Sequence, residues 1–396
     1  MKTKIKLIGI MVAVLSVLAF FVTSFYLQKN VLPEQIKKVQ VNLNVPVRYA
    51  FITDKGDNKL SVLDTYSNGI IDTLPIQTTA ELIAVSRYGG YIVYAKRGGK
   101  TIYLMNLETY DTESIPTDKG IEQLGTDSNG QWIIYATKDD VYQVSRKTKK
   151  VVQKLPVSGQ IGLTFTPDGD GVIVAELDNG RIFQMSFADT DTDKPVKGLA
   201  TLEQKISPVS IMPDGQALFF NGRNRIHRYD LATNEIIRSN IEISAQGYRP
   251  YLTGDNRQLF VIGTENNQPT LFVLNPNDVT IVNKYPLPDV EPITENTSVL
   301  ASGWLDQVAI VAGKDKVHLV DVSTGEIKSI ALSGKINEMV VQSDSKVLLL
   351  SIENKDKKQA NFVTIDLLQR QIRTASVLDN IIPNNIVMGQ TNTLCH

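Results

Sequence analysis

The chain of 396 residues carries 41 Lys and Arg against 42 Asp and Glu, a formal net charge of -1, and 42% of its residues are hydrophobic. That profile excludes a disordered tail, a collagen-like fibre and a multi-span membrane protein, and the charge balance offers no broad basic field for nucleic acid. Three His and the single Cys395 are too few for a Cys-rich zinc site, a c-type haem motif or an intramolecular disulfide, so no cofactor is expected.

At the N-terminus, Lys2, Lys4 and Lys6 precede an uncharged apolar run over residues 7–27. With a rise of about 1.5 Å per residue, such a run can cross the roughly 30 Å hydrocarbon core as a helix. Two readings stay open. Val22 and Ser24 are small enough at the -3 and -1 positions for a signal peptide cleaved after Ser24, whereas the length of the run favours a retained anchor. In both, the basic flank stays in the cytoplasm and the rest of the chain is exported, to the periplasm or cell surface. No Cys follows the run directly, which excludes a bacterial lipoprotein anchor. Residues 28–48 turn polar and suit a stalk. Their second half, 39–47, alternates apolar and polar residues, as an extra edge strand or an extended linker would.

From Tyr49 onward the chain is periodic. Similar runs end at fixed anchors: LSVLD at Asp64, IYLMN at Asn106, VYQVS at Ser145, IFQMS at Ser186, IHRYD at Asp230, LFVLN at Asn275, VHLVD at Asp321 and FVTID at Asp366. The spacing averages about 43 residues, the length of a four-stranded propeller blade. Turn signals such as TPDG (166–169) and MPDG (212–215) precede the anchors, and polar turns with a further strand follow them, as in STGEIKSIAL after Asp321. The sequence therefore predicts an all-β, eight-bladed β-propeller of four-stranded antiparallel blades over residues 49–396. It is preceded by the hydrophobic helix of residues 1–27 and the stalk of residues 28–48. A seven-bladed ring stays open if the degenerate unit around Ser186 is not a blade. The first unit, 49–76, supplies only three strands, and PNNIVMG (383–389) is left over at the end. Pairing the two would close the ring and remove its exposed edges, with residues 39–45 as the other candidate for closure.

Two stretches, KLSVLDTYSNGIIDTLPI (59–76) and KVHLVDVSTGEIKSIAL (316–332), carry a strand, a D/N-x-x-[ST] turn and a second strand. With the PDG turns, this pattern resembles the YVTN-type β-propeller repeats of exported bacterial proteins, across residues 49–389. The wider group includes the propeller subunits of periplasmic amine dehydrogenases, the haem-d domain of nitrite reductases, surface-layer proteins and sugar lactonases. The resemblance implies a propeller fold and export, but a repeat signature is generic about chemistry.

His227 and His318 occupy one repeat position, three residues before the anchor, where Ser61, Tyr103, Tyr142, Phe183, Phe272 and Val363 stand elsewhere, mostly large rings. That predicts a packing position between neighbouring blades. The anchor acids Asp64, Asp230, Asp321 and Asp366 are expected to bond the backbone of the turn that follows. DTDTD (189–193) reads as a solvated loop, since it lacks the Gly and distal Glu of a calcium-binding EF-hand loop. YAKRGGK (94–100) reads as a hairpin turn, and RKTKK (146–150) and KDKK (355–358) as solvated connections. No Ser-His-Asp set, metal-spaced His pair or nucleotide loop stands out, and no catalytic or metal residue is assigned.

A propeller site gathers residues from several blades at the mouth of its channel. Residues near the starts of the inner strands, Glu81, Glu122, Gln160, Arg249, Glu295 and Glu338, are the candidates for a ligand site there. Arg249, in GYRPYL, is the one basic residue placed at such a start, where it can meet an anionic group. The leading expectation is an exported binding or interaction scaffold of the cell envelope, with a protein partner there and with the membrane through residues 7–27 if they are retained. The alternatives are the large propeller subunit of a periplasmic dehydrogenase, whose partner supplies the chemistry, or a lactonase-like hydrolase with a divalent metal at the channel mouth.

Overall fold

Runs such as Tyr91–Ala95 (YIVYA), Gly171–Glu176 (GVIVAE) and Val308–Gly313 (VAIVAG) are apolar at nearly every position, a pattern that only a strand covered on both faces can bury. Each is the second strand of a four-stranded antiparallel sheet, and there are eight such sheets. A computed structural model describes residues 41–88, 90–187, 196–240, 242–244, 248–291, 300–354, 361–378 and 381–389. Its sheets are eight blades: 49–75 with Pro383–Met388, then 82–116, 123–156, 161–201, 210–238, 251–286, 300–331 and 335–376. The second strands are clamped between adjacent sheets. The fourth strands, such as Thr112–Pro116, buried only at Ile115, and Ile236–Arg238, exposed at each position, form the rim. The core is accordingly a series of apolar clusters between neighbouring blades, such as the one joining Phe219 of the fifth blade to Val261 of the sixth.

The fourth blade has all four strands, with Arg181–Ser186 as the third, so the ring is eight-bladed and the seven-bladed alternative falls. Closure follows the preferred pairing. Pro383–Met388 is the innermost strand of the first blade and pairs antiparallel with Tyr49–Asp54, Ala50 facing Met388 and Ile52 facing Ile386. The competing closure by residues 39–45 does not occur: the described part of that stretch, from residue 41, forms no strand. Leu43 instead drops into the apolar cluster between the first two blades, 1% exposed, alongside Tyr49 and Tyr94. The hydrophobic helix predicted over 1–27 lies outside the described residues, among which no helix is long and apolar enough to cross a membrane.

The alternating strand direction gives the ring two unlike ends. One carries the links between blades and the turns between second and third strands, and is called here the connection face. The other carries the turns between first and second and between third and fourth strands, and is called the turn face. The PDG turns lie on the turn face and close with Gly169 N donating to Thr166 O (2.9 Å) and Gly215 N to Met212 O (2.7 Å).

Candidate functional site in the central channel

The first strand of each blade lines the channel. At the connection face the channel opens into a cavity of about 700 Å³. Its wall brings together Glu81 of the second blade, Glu122 of the third, Gln160 of the fourth and Glu338 of the eighth, with Arg249 from the link before the sixth. Glu295 lies outside the described residues.

These groups are held in two different ways. On the side of blades two to four, the rim is bonded together. Arg97 N donates to Glu81 Oε2 (3.0 Å), Arg97 Nη1 donates to the Glu122 carbonyl (2.9 Å), and Asn385 Nδ2 donates to the Glu81 carbonyl (3.2 Å). Gln123 Nε2 reaches across to the Ile161 carbonyl at 2.5 Å and staples two inner strands.

Arg249 and Glu338 are half-buried and almost without bonds. Among the described residues, Arg249 has no hydrogen-bond or ion-pair partner, and its Nε is shut away from solvent. Burial lowers its pKa to about 10, because a guanidinium that loses part of its water and gains no counter-ion loses part of its preference for the charged form. Glu338 is raised to about 7 by burial, against which it has only one opposing bond, from Met339 N at 3.2 Å. It therefore titrates near neutrality and can offer a hydroxyl donor. Both retain contact with channel solvent, and no ion pair joins them. Arg249 also lines a second cavity of about 340 Å³ deeper in the channel, walled by Leu163, Val209, Tyr251, Leu300 and Met339.

Phe165 borders all three channel cavities and narrows the passage. It seats on Gly125 of the neighbouring inner strand, where an added Cβ would stand 2.4 Å from the ring, so only glycine permits the constriction. Beyond it, the turn-face end holds a cavity of about 290 Å³ with its own arginine and acid, Arg87 and Asp127. There Arg87 Nη1 donates to the Pro167 carbonyl (3.3 Å), and Asp127 accepts from Trp132 N (2.6 Å) and Asn129 N (3.1 Å).

The repeat position of the histidines is a stacking position, but within a blade rather than between blades. His227 lies 5.2 Å from the Phe220 ring at an interplanar angle of 5°, and Tyr142 stacks on Tyr135 and Tyr103 on Tyr94 in the same way. Each partner is the residue directly across from it on the second strand, so cross-strand pairing sets the geometry. Burial lowers His227 to about 4 and keeps the ring neutral.

His318 departs from this pattern, and so from the sequence expectation that no Ser-His-Asp set is present. Its Nε2 bonds Asp289 Oδ1 and its Nδ1 bonds Ser329 Oγ, both at 2.8 Å. Asp289 reaches the ring over Gly313, where a Cβ would lie 2.4 Å from the carboxylate oxygen, and it also pairs with Lys316 at 3.0 Å. Ser329 sits on a rim strand outside all three channel cavities, so the chain of bonds ties the sixth-to-seventh link to the seventh blade. Spacing could not disclose it, because Asp289 lies in a connecting loop.

The anchor acids bond the turns as expected: Asp64 Oδ1 accepts from Tyr66 N, Asp230 Oδ1 from Ala232 N and Thr233 N, Asp321 Oδ1 from Ser323 N and Thr324 N, and Asp366 Oδ1 from Gln369 N. YAKRGGK is a hairpin turn, yet it delivers Arg97 to the channel mouth, as the turn at Thr137 and Lys138 delivers those two. Both turns join second to third strands. The predicted topology already put such turns on the face where the inner strands start, and that signal could have found them. DTDTD and KDKK lie outside the described residues. Among the described residues no group of three or more His, Cys, Asp and Glu stands close enough to hold a metal ion.

No family model matches the chain, and no curated protein matches it significantly. Many solved structures share its shape. It is similar to a dihydro-heme d1 dehydrogenase, NirN, in complex with DHE, at 14% identity and a TM-score of 0.69 over 92% of this chain and 78% of that one. It is also similar to the Dos1 propeller, at 10% identity and a TM-score of 0.62 over 77% and 86%. BamB from Moraxella catarrhalis matches at 12% identity and a TM-score of 0.57 over 82% and 94%. Identities this low establish the shared β-propeller fold and nothing finer.

Proposed function

We propose that this chain is an exported, membrane-tethered β-propeller of the YVTN type that serves as a binding scaffold in the cell envelope, taking a small organic anion at the connection-face mouth of its channel. The observation that carries the reading is Arg249, a half-buried guanidinium whose Nε is shut from solvent, which faces a roomy cavity and has no partner among the described residues. Partly desolvating a cation without a partner is unfavourable, and a bound carboxylate or phosphate would offset that cost. The cavity of about 700 Å³ falls in the range of small-molecule sites. Glu338, protonated in part near neutral pH, can donate a hydrogen bond to the same ligand, and the bonded rim of Glu81, Arg97 and Glu122 supplies a preformed edge.

The export and tether rest on the basic flank and apolar run of residues 2–27. NirN, solved in complex with DHE, is relevant only as a propeller of this fold that holds a ligand. The test is to purify the full chain from its native host in detergent and release bound small molecules for mass spectrometry, with Arg249→Gln alongside. An anion present in the wild type and absent from the variant supports the reading. A chain that carries no anion, or a variant that retains it, contradicts it. The same preparation, examined for absorbance, metal and co-purifying subunits, separates this scaffold from an enzyme subunit.

A further inference from the structure

Arg249 stands where two cavities of unlike character meet, and it lines both. The mouth, of about 700 Å³, carries Glu81, Arg97, Glu122, Lys138 and Glu338 in its wall. The deeper cavity, of about 340 Å³, is built on the inner strands of blades four to eight and the residues leading into them. Leu163, Val209, Leu300, Met339 and Val341 line it, and Arg249 is the one charged side chain in its wall.

The hydroxyl side chains of that wall are committed to neighbouring blades. Thr164 Oγ1 donates to the Val209 carbonyl (2.7 Å), Ser210 Oγ donates to the Pro250 carbonyl, and the Tyr251 hydroxyl shares a hydrogen bond with Ser302 Oγ (3.2 Å). These bonds run from blade four to five, five to six and six to seven, so they stitch the inner strands together. They leave Arg249 as the one side chain in this wall with polar atoms and no partner among the described residues.

Apolar side chains around a single cation at the entrance suit a ligand that is apolar at one end and anionic at the other. Its hydrocarbon leaves water while its charge supplies the partner that the guanidinium lacks. A second anionic group would find no other cation in the deeper cavity. In the mouth it would meet a wall where Glu81, Glu122 and Glu338 outnumber Arg97 and Lys138. Like charges brought together in this way disfavour dicarboxylates and phosphate. Deepening the anion reading above, on which this rests, we infer that the ligand is a monocarboxylate with an apolar acyl or aryl body, its carboxylate on Arg249 and its body in the deeper cavity.

The experiment is isothermal titration calorimetry of the full chain in a neutral detergent with acetate, butanoate, hexanoate, phenylacetate, succinate and inorganic phosphate. Arg249→Gln in the same detergent subtracts what the micelles take up. Val340→Phe enlarges a half-buried side chain of the deeper wall and so shortens the pocket. The expected result is an affinity that rises about threefold for each added methylene from acetate to hexanoate, with succinate and phosphate weaker than hexanoate by about tenfold or more. Val340→Phe should lose the gain from butanoate to hexanoate and still bind butanoate; the wild-type series decides alone if that variant does not fold. Hexanoate tighter than phenylacetate supports an acyl body, and the reverse supports an aryl one. Hexanoate no tighter than acetate, or succinate or phosphate tightest, with Arg249 still required, overturns the inference and leaves the anion reading standing. A gain with chain length that persists in Arg249→Gln, or an unchanged hexanoate gain in a Val340→Phe chain that melts like the wild type, also overturns it. No Arg249-dependent binding by any of these anions overturns the anion reading and the inference with it.

Discussion

Both ends of the channel carry arginines and acids in their walls; Arg87 with Asp127 at one end and, beside the bonded Arg97, Glu81 and Glu122, Arg249 with Glu338 at the other are held differently. At the turn face, Arg87 donates through Nη1 to the Pro167 carbonyl although its Nε, like that of Arg249, has no partner, and Asp127, itself raised by burial, is braced by backbone amides of its own turn. At the connection face, Arg249 has no partner among the described residues and Glu338 has a single amide. Satisfied buried groups serve structure, whereas unsatisfied ones facing a cavity are strain that a ligand can relieve.

The largest effect expected is on the strand that spans both ends. Deleting residues 383–396 strips the first blade of its inner strand and exposes the apolar cluster around Ala50, Ile52 and Leu349. Thermal unfolding should lose its cooperative transition or shift down by tens of degrees; retention of the wild-type transition would mean that the ring closes in another way.

Substitutions at the two ends should then move stability in opposite directions. Asp321 is pushed up by burial, but bonds from Ser323 and Thr324 and the Arg370 charge outweigh it and hold it at about 2. Asp321→Ala on the turn face should cost about 2 kcal/mol in chemical denaturation. Arg249→Leu should instead leave the free protein as stable or stabilise it by about 1 kcal/mol, since an unpaired, half-buried charge is removed. A large loss with Arg249→Leu would show that the guanidinium has a structural partner and would erase the contrast.

The pH dependence sharpens the contrast further. Glu338 has a folded pKa raised to about 7. Its unfolded form gives up the proton near 4, so stability is full below that pH and declines as pH rises to about 7. Glu338→Gln should flatten this decline, by about 2 kcal/mol at pH 8. His227, lowered to about 4, acts on the other side: stability is full above about 6.5 and is lost as pH falls toward 4. His227→Phe, which keeps the stack on Phe220, should reduce that acid-side loss by about 1 kcal/mol or more. Denaturation midpoints measured from pH 4 to 8 check both.

Most of the ring was legible because four strands and two kinds of turn repeat every 43 residues or so, and repetition averages out ambiguity in any one strand. The pairing of Pro383–Met388 with Tyr49–Asp54 followed from one missing strand and one surplus strand. Placement of Glu81, Glu122, Gln160, Arg249 and Glu338 at one mouth was legible for the same reason: equivalent repeat positions fall at equivalent heights. What the sequence could not disclose was set by neighbours distant in the chain. Phe165 across Gly125, Arg97 under Glu81, and Asp289 over Gly313 onto His318 each depend on how one blade leans on the next. The stretch 39–45 misled because its alternation serves to bury Leu43 and needs no strand partner.

The central claim, that the unpaired Arg249 is kept for an anion, is tested most directly by the melting temperature of the full chain in detergent. It is measured against a series of mono- and dicarboxylates and phosphate esters at constant ionic strength, for the wild type and for Arg249→Gln. The account predicts that at least one anion raises the wild-type melting temperature in a saturable way and that the shift vanishes in the variant, whose own melting temperature is unchanged or higher. An equal shift in both proteins, or no shift with any anion of the series, would contradict it.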